Sequence, residues 1–410
     1  MSNIARTALR GVTYYDPLKA DDGYTVFPIG DMGVVMIDME GRIVHRWRTG
    51  RGVHTARLLS NGLLSCSQVR RLPSKEKGYL PDGEGYPPDR SDLHGAIDAD
   101  IVEYDWDSNI VWKASVPYQT HDIFCFDEAP GDKWPKNGHY IFPTFHPVGV
   151  FPDELAEKWQ GGVAGTEYEG KIWGDSIYEI DRDGKIVWEW FSRDHLDPVI
   201  DAFPPLDMRG NFHSNSVFLS REGNIILSAR VLCELKRIEY PGGKVIARYG
   251  RGELYHQHNA TELENGNILV FDNGSHRSNY YGPEYSRAVE IDPGTNKVVW
   301  EYKADPPFTF RSDVISGCKR LANGNTIICE GYTGRIFEVT CEGELVWEYV
   351  VPWWSFKYRG LTNMMYRAER YPKNHPAFKS KDLDPARYRW ENRIWGPEAW
   401  KRGGFRPLIF

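Results

Sequence analysis

One passage that the chain repeats along its length constrains its fold more than any other feature. "HNATELENGNILVFDNG" at 258–274 is followed by "SRAVEIDPGTNKVVWEY" at 286–302. A polar start, a turn on Asn-Gly, a hydrophobic run, a second run ending in Asp and a closing Val-Trp-Glu-Tyr recur along the sequence. A repeat of this size implies a propeller or a solenoid, because one unit cannot bury its apolar faces alone.

Each unit reads as four short strands, A to D, rich in β-branched and aromatic residues with turn residues between them. Units open at His54, His121, His213 and His258, and a fifth opens near Ser316. The sixth is split. "NMMYRAERY", with strand A expected over about 362–371, lies near the C-terminus, while "GYTVFPIG", "GVVMIDMEG" and "RIVHRWR" supply its other three strands from the N-terminus. Radially repeated four-stranded sheets make a β-propeller. The expectation is an all-β, six-bladed propeller over residues 11–372, closed by pairing N-terminal strands with a C-terminal one so that no sheet edge is left broken. Trp112, Trp188, Trp300 and Trp347 recur at one place in strand D and read as blade-to-blade packing. Residues 373–410, rich in Trp and Arg, read as an extension packed on the propeller or on a partner subunit, which allows a homo-oligomer.

Composition excludes several classes. The chain has 410 residues, 40 of them Gly and 26 Pro, which is turn-rich and β in character. A net charge of −7 leaves no basic footprint for nucleic acid. No apolar run is long enough for a membrane span. The opening "MSNIARTALRGVTYYDP" lacks the apolar core of a secretory signal, so a cytoplasmic protein is expected, or an exported one if a signal was trimmed. Six scattered cysteines without a CxxC motif read as free thiols in a reducing compartment.

Strand A of a blade lines the central channel, so four A strands that start with histidine place His54, His121, His213 and His258 around one mouth. The long connections fall on the same face, at roughly 70–98, 146–174, 192–212, 273–285 and 303–315, whereas most opposite turns are short, as in "SNG", "ENG" and "ANG". Long loops over one mouth are expected to act as lids. Their aromatics, Tyr79, Tyr86, Trp173, Tyr280 and Tyr281, suit a flat aromatic small molecule. Strand B ends add Arg230, Asp272, Asn273 and Glu330. Arg230 among imidazoles makes an electropositive pocket suited to a sulfate, phosphate or carboxylate. His54, Asp272, Asn273, Tyr255 and Ser316 are the candidate substrate contacts.

Several blocks resemble the bacterial arylsulfate sulfotransferases that do not depend on a nucleotide donor. "YHQHNATELENGNILVFDNG", "HSNSVFLSREGNIILSAR", "HDIF", "VVMIDMEGRIVHRW" and "YRAERYP" carry the resemblance across most of residues 20–375. It implies a six-bladed propeller in which His258 is the sulfuryl-accepting nucleophile. His121, His213 and Arg230 would hold the sulfuryl oxygens and move protons. No cofactor is expected under this reading. The histidine count alone favours a different one, a metal-dependent lyase, hydratase or oxygenase with a divalent ion on His54, His121, His213 and His258 and with Gln257, Asp98 or Glu330 completing the shell. A third reading is a non-catalytic binding propeller. The polar channel mouth argues against it, since a scaffold needs no ring of titratable groups.

Overall fold

The computed structural model describes residues 10–29, 33–69, 99–116, 118–126, 137–145, 149–167, 170–210, 212–277, 282–357 and 360–397. Six antiparallel four-stranded blades close into a ring. Blade 1 is built from Val53–Leu58, Leu64–Val69, Ala99–Tyr104 and Ile110–Val116. Blade 2 comprises Phe124–Cys125, Tyr140–Thr144, Ser176–Ile180 and Ile186–Phe191, and blade 3 comprises Ser214–Leu219, Ile225–Ala229, Glu234–Ile238 and Val245–Tyr249. Blade 4 runs through His258–Glu262, Ile268–Asp272, Arg287–Asp292 and Lys297–Tyr302. Blade 5 holds Gly317–Arg320, Thr326–Glu330, Arg335–Val339 and Leu345–Val350, with Gly11–Tyr15 added outside Leu345–Val350 as a fifth strand that the repeats did not announce.

Blade 6 is the split blade. Its inner strand, Glu369–Pro372, pairs antiparallel with Gly23–Pro28, followed by Val34–Ile37 and Ile43–Trp47. The inner strand is shorter and later than the expected 362–371. Residues 363–368 are irregular, and Tyr366 among them leaves the ladder to lie against His54. The lid connections 146–174 and 192–212 are joined by a parallel pair, Gly161–Val163 with Phe203–Met208. The 70–98 connection, with Tyr79, Tyr86 and Asp98, and Tyr280 and Tyr281 lie outside the described residues.

Why the B and C strands read as unbroken apolar runs is visible in the seams. Side chains alternate along a strand, so a strand between two neighbouring blades buries both faces. In blade 4, Ile268 and Val270 face blade 3, while Leu269 and Phe271 face blade 5. The buried apolar residues accordingly form six clusters, one for each seam of the closed ring.

A second repeat runs across the seams. In four blades a strand C glutamate sits opposite the strand D tryptophan: Glu103 with Trp112, Glu179 with Trp188, Glu290 with Trp300 and Glu338 with Trp347. Each indole N–H donates to a turn carbonyl of the next blade: Arg182, Pro241, Cys341 and Met39 respectively. Each glutamate also reaches that next blade. Glu103 accepts from the Tyr140 hydroxyl and Arg182, Glu179 from the Tyr240 hydroxyl, Glu290 from Arg320, and Glu338 from Arg370 of the closing strand. In the split blade His45 stands at the tryptophan position and stacks on Trp106 of blade 1, with ring centroids 3.9 Å apart.

The C-terminal extension lies along the propeller as far as it is described. Ala377 and Phe378 join the seam between blades 6 and 1, and Trp395 packs 5.7 Å from Trp353 in the seam between blades 5 and 6. Asn392 donates to the Ile43 carbonyl and accepts from the Ile43 N–H, which covers part of the outer edge of blade 6. Five cysteines are buried, Cys341 is exposed, and all six are free. No helix among the described residues is long and apolar enough to cross a membrane.

The seam at the split blade can be tested directly. Glu338→Ala leaves the fully buried Arg370 guanidinium without its carboxylate, and removing one partner of a buried pair costs about 3–5 kcal/mol. Urea unfolding is expected to show that loss for Glu338→Ala. The double variant Glu338→Ala/Arg370→Met should regain most of it.

Candidate functional site

The four predicted histidines come together at one mouth. His54 is the second residue of its strand, His258 the first of its own, His213 immediately precedes Ser214–Leu219, and His121 stands three residues before Phe124–Cys125. His121 and His213 both have left-handed backbones, with φ of 51° and 55°. That conformation costs a non-glycine residue about 1–3 kcal/mol and persists only where the surroundings enforce it. It swings both rings out of the ladder toward each other. Asp175 holds the base of the His213 turn by accepting from the Ser214 N–H at 3.0 Å and from the Ser214 hydroxyl.

His121 is the hub. Its Nε2 lies 3.0 Å from His213 Nε2, so a single proton is shared between the two nitrogens. Its Nδ1 meets the Thr120 hydroxyl. Its ring centroid is 5.9 Å from that of His54 and 6.5 Å from that of His258. His54 Nδ1–H donates to the His121 carbonyl at 3.1 Å, and its ring lies on Tyr366 at 3.8 Å. Phe145 closes one side, 5.7 Å from His213.

Asn273 sets the tautomer of His258. The Asn273 amide nitrogen donates to the carbonyls of Ser312 and Ile315, at 2.7 and 3.0 Å. Its oxygen is therefore the atom presented to His258 Nδ1, 2.7 Å away. An amide oxygen only accepts, so Nδ1 carries the proton and Nε2 keeps its lone pair.

Burial lowers the proton affinity of the His258 and His121 rings, and neighbouring cations lower it further. For His258, burial and then the Arg230 charge push the pKa well below the usual value, against the opposing pull of Asn273. For His121, burial is followed by the neighbouring imidazoles of His54 and His258 and by the guanidinium groups of Arg230 and Arg367. Both rings are thus neutral at pH 7. Arg230 follows Ile225–Ala229, and among the described residues no ion pair or hydrogen bond engages its guanidinium. Burial likewise pushes the Tyr366 hydroxyl up, so it stays protonated.

The other expected contacts have local partners. The buried Asp272 carboxylate is spent on Arg277, Arg287 and the Tyr255 N–H. Tyr255 lies under Arg277, 5.4 Å from the ring centroid to the guanidinium carbon. Ser316 ties Ser312 to the Gly331 N–H within the loop framework. Trp173 is buried and anchors the lid by donating its backbone N–H to the Gly210 carbonyl. Gln257 spends its amide nitrogen on Ser228, Ala229 and Glu234, and Glu330 pairs with Arg335.

Sequence reasoning missed Tyr366, Arg367 and Asp122. Arg367 is largely buried, with 11% of its side chain exposed, pairs with Asp122 at 3.0 Å, and leaves Nε and Nη2 without partners. The signal was available in "HDIF" and "YRAERYP", where each residue adjoins a strand A position. Asp122 and Arg367 also line a cavity of about 730 Å³ in the other half of the channel, whose charges are mutually paired, as in Arg320–Glu290 and Lys319–Glu369. Convergent metal-ligating atoms among the described residues occur at Asp207, Cys233 and His256, beside the histidine quartet and not within it.

The depressed proton affinities have a stability consequence. Below about pH 6.5 the unfolded chain binds protons at these histidines and the folded chain does not. Stability therefore rises with pH through that window and falls on acidification below it. Urea unfolding between pH 7 and pH 5 is expected to show this loss, with a shallower slope in His121→Gln. Imidazole ¹⁵N shifts should keep His258 as the Nδ1–H tautomer at pH 6.5, and Arg230→Gln should move its titration upward.

Residues 157–351 match the family model described as arylsulfotransferase (ASST). The matched stretch contains His213, Arg230, His258 and Asn273, and leaves His54, His121 and Arg367 outside. No curated protein matches the sequence significantly. Among solved structures, the chain is similar to a Bacteroides caccae protein of unknown function, at 13% identity over 85% of this chain and 98% of that one, with a TM-score of 0.49. It is also similar to a streptogramin B lyase, at 12% identity, 83% and 87% coverage and a TM-score of 0.43. A catalytically inactive virginiamycin B lyase from Staphylococcus aureus with quinupristin aligns at 11% identity, 88% coverage of each chain and a TM-score of 0.38. The family match spans just under half of the chain, within a β-propeller whose described residues close into a ring of six blades.

Proposed function

We propose that the protein transfers a sulfuryl group from an aryl sulfate to a hydroxyl acceptor through a covalent sulfohistidine on His258. The observation that carries this reading is the Asn273–His258 hydrogen bond, which leaves the Nε2 lone pair of a neutral, buried imidazole as the available nucleophile. The Nε2 lone pair forms the N–S bond while the sulfur–phenolic oxygen bond breaks, and the phenolate leaves to be protonated in solvent. Positive charge that grows on the ring is met by the Asn273 oxygen at Nδ1–H. Negative charge on the sulfuryl oxygens is met by Arg230, and by Arg367 through its two unpartnered nitrogens. Splitting the transfer in this way replaces one hard step with two easier ones.

In the second half, the acceptor oxygen attacks sulfur as the N–S bond breaks and His258 regains its lone pair. The acceptor proton passes to the unprotonated nitrogen of the His121–His213 pair, which then releases it to solvent. Because the buried His121 ring binds protons weakly, the pair is regenerated at neutral pH.

Mixing the protein with a chromogenic aryl sulfate is expected to release one phenolate per chain in a burst and to leave a sulfuryl mass on the His258 peptide. His258→Ala should abolish both. Arg230→Ala should slow the burst by ~100-fold or more, as loss of an oxyanion donor does, and Arg367→Met should slow it less, because Asp122 already shares that charge. Absence of burst and adduct in the unaltered protein would overturn the proposal.

A further inference from the structure

A second cluster of side chains occupies the seam of blades 3 and 4 beside the histidine mouth. Asp207 comes from the lid connection, Cys233 from the turn after Ile225–Ala229, His256 from the approach to strand A of blade 4, and His276 from the connection after Ile268–Asp272. Asp207, Cys233 and His256 are all buried, and one ligand atom from each lies within 4.8 Å of the others. His256 Nε2 is 2.9 Å and His276 Nδ1 is 3.3 Å from the same carboxylate oxygen, Oδ1 of Asp207. Ligands held at ~2.0–2.2 Å in a tetrahedron lie roughly 3.3–3.6 Å apart, so both imidazoles stand near that spacing from Asp207, and Cys233 needs only a small shift to join Asp207 and His256.

The geometry points to a divalent zinc-class cation site formed by Asp207, Cys233, His256 and His276. A thiolate, two imidazoles and one carboxylate are a donor set that suits zinc over calcium or magnesium, which prefer oxygen. His256 is 3% exposed and presents Nε2 to Asp207, so an ion bound there would be shielded from solvent on that side. The His256 backbone N–H points at the Cys233 sulfur, the type of outer contact that supports a metal-bound thiolate. Two anionic ligands would neutralise a dication, so the site tolerates the neighbouring Arg230 guanidinium. Cys233, His256 and His276 each adopt a left-handed backbone, with φ of 53°, 56° and 64°. Three distant segments are thus bent where their side chains reach the Asp207 cluster. The bound ion would clamp the lid to the segment that leads into His258, two residues beyond His256. The quartet would remain the reacting centre, and the site stands independently of the sulfuryl-transfer reading.

Elemental analysis of the full-length protein after zinc addition and gel filtration is expected to find one zinc per chain. Cys233→Ser and Asp207→Asn should lose it. His276→Ala, at a half-exposed position where folding is not at stake, should weaken zinc binding ~10-fold or more in chelator competition. With cobalt in place of zinc, a thiolate-to-cobalt charge-transfer band should appear in the unaltered protein and vanish in Cys233→Ser. His121→Ala and His258→Ala should keep the metal and the band. Metal retained in Cys233→Ser and His276→Ala but lost in His121→Ala would move the ion to the quartet and overturn the assignment, as would the absence of any bound zinc in the unaltered protein.

Discussion

A buried carboxylate on the third strand of a blade, reaching across to the next blade, is the contact on which the closed ring depends. Burying a charge is costly unless it is paired and its remaining lone pairs are satisfied. Each of these glutamates therefore specifies where the next sheet must lie. Glu338 shows the consequence at the split blade. It accepts from Arg370 of the C-terminal strand, from the Asp21 N–H at the start of the N-terminal strands, and from Asn325 of blade 5. Arg370 in turn reaches Thr25 and the Asp21 carbonyl and lies over Trp347, 4.4 Å from its ring centroid. One charge pair thus joins both ends of the described chain to the preceding blade, and ring closure follows from it.

Closure gives the mouth its geometry. Six inner strands converge there, and departures from strand conformation at His121 and His213 turn two side chains out of their ladders into a shared hydrogen bond. The resulting site combines groups with opposite electrostatic demands. Neutral imidazoles supply lone pairs, burial keeps them neutral, and nearby guanidinium groups add fixed positive charge that acts in the same direction. The same cations would meet a bound anion, so one arrangement both activates the nucleophile and attracts its target.

The lid belongs to the core as much as to the site. Phe151, Trp159, Phe203 and Phe212 from the two joined connections pack with Ile177, Trp190, Val217 and Leu227 in a single apolar cluster at the seam of blades 2 and 3. Trp159 and Phe151 meet at 4.7 Å, and Trp159 donates to the Asp201 carbonyl. Asp201 itself is held by Lys236 and Arg248 of blade 3. A lid anchored this way delivers Asp207 to the seam of blades 3 and 4 from a rigid support.

By itself the sequence determined the six-bladed ring, the split blade and the mouth at which His54, His121, His213 and His258 gather. These follow from periodicity, because equivalent places in a repeat occupy equivalent places around an axis. It also marked Arg230 and Asn273, since the end of strand B lies beside the start of strand A. Tertiary structure decided which of these groups touch. Asp272 and Ser316 share the right strand positions, yet their polar groups are consumed by local partners, which no spacing reveals. The tautomer of His258 depends on carbonyls of Ser312 and Ile315, some 40 residues away from Asn273. Arg367, Asp122 and the Asp207–Cys233–His256 cluster owe their places to irregular segments and left-handed turns. Those depend on packing between blades, and packing leaves no period in the sequence.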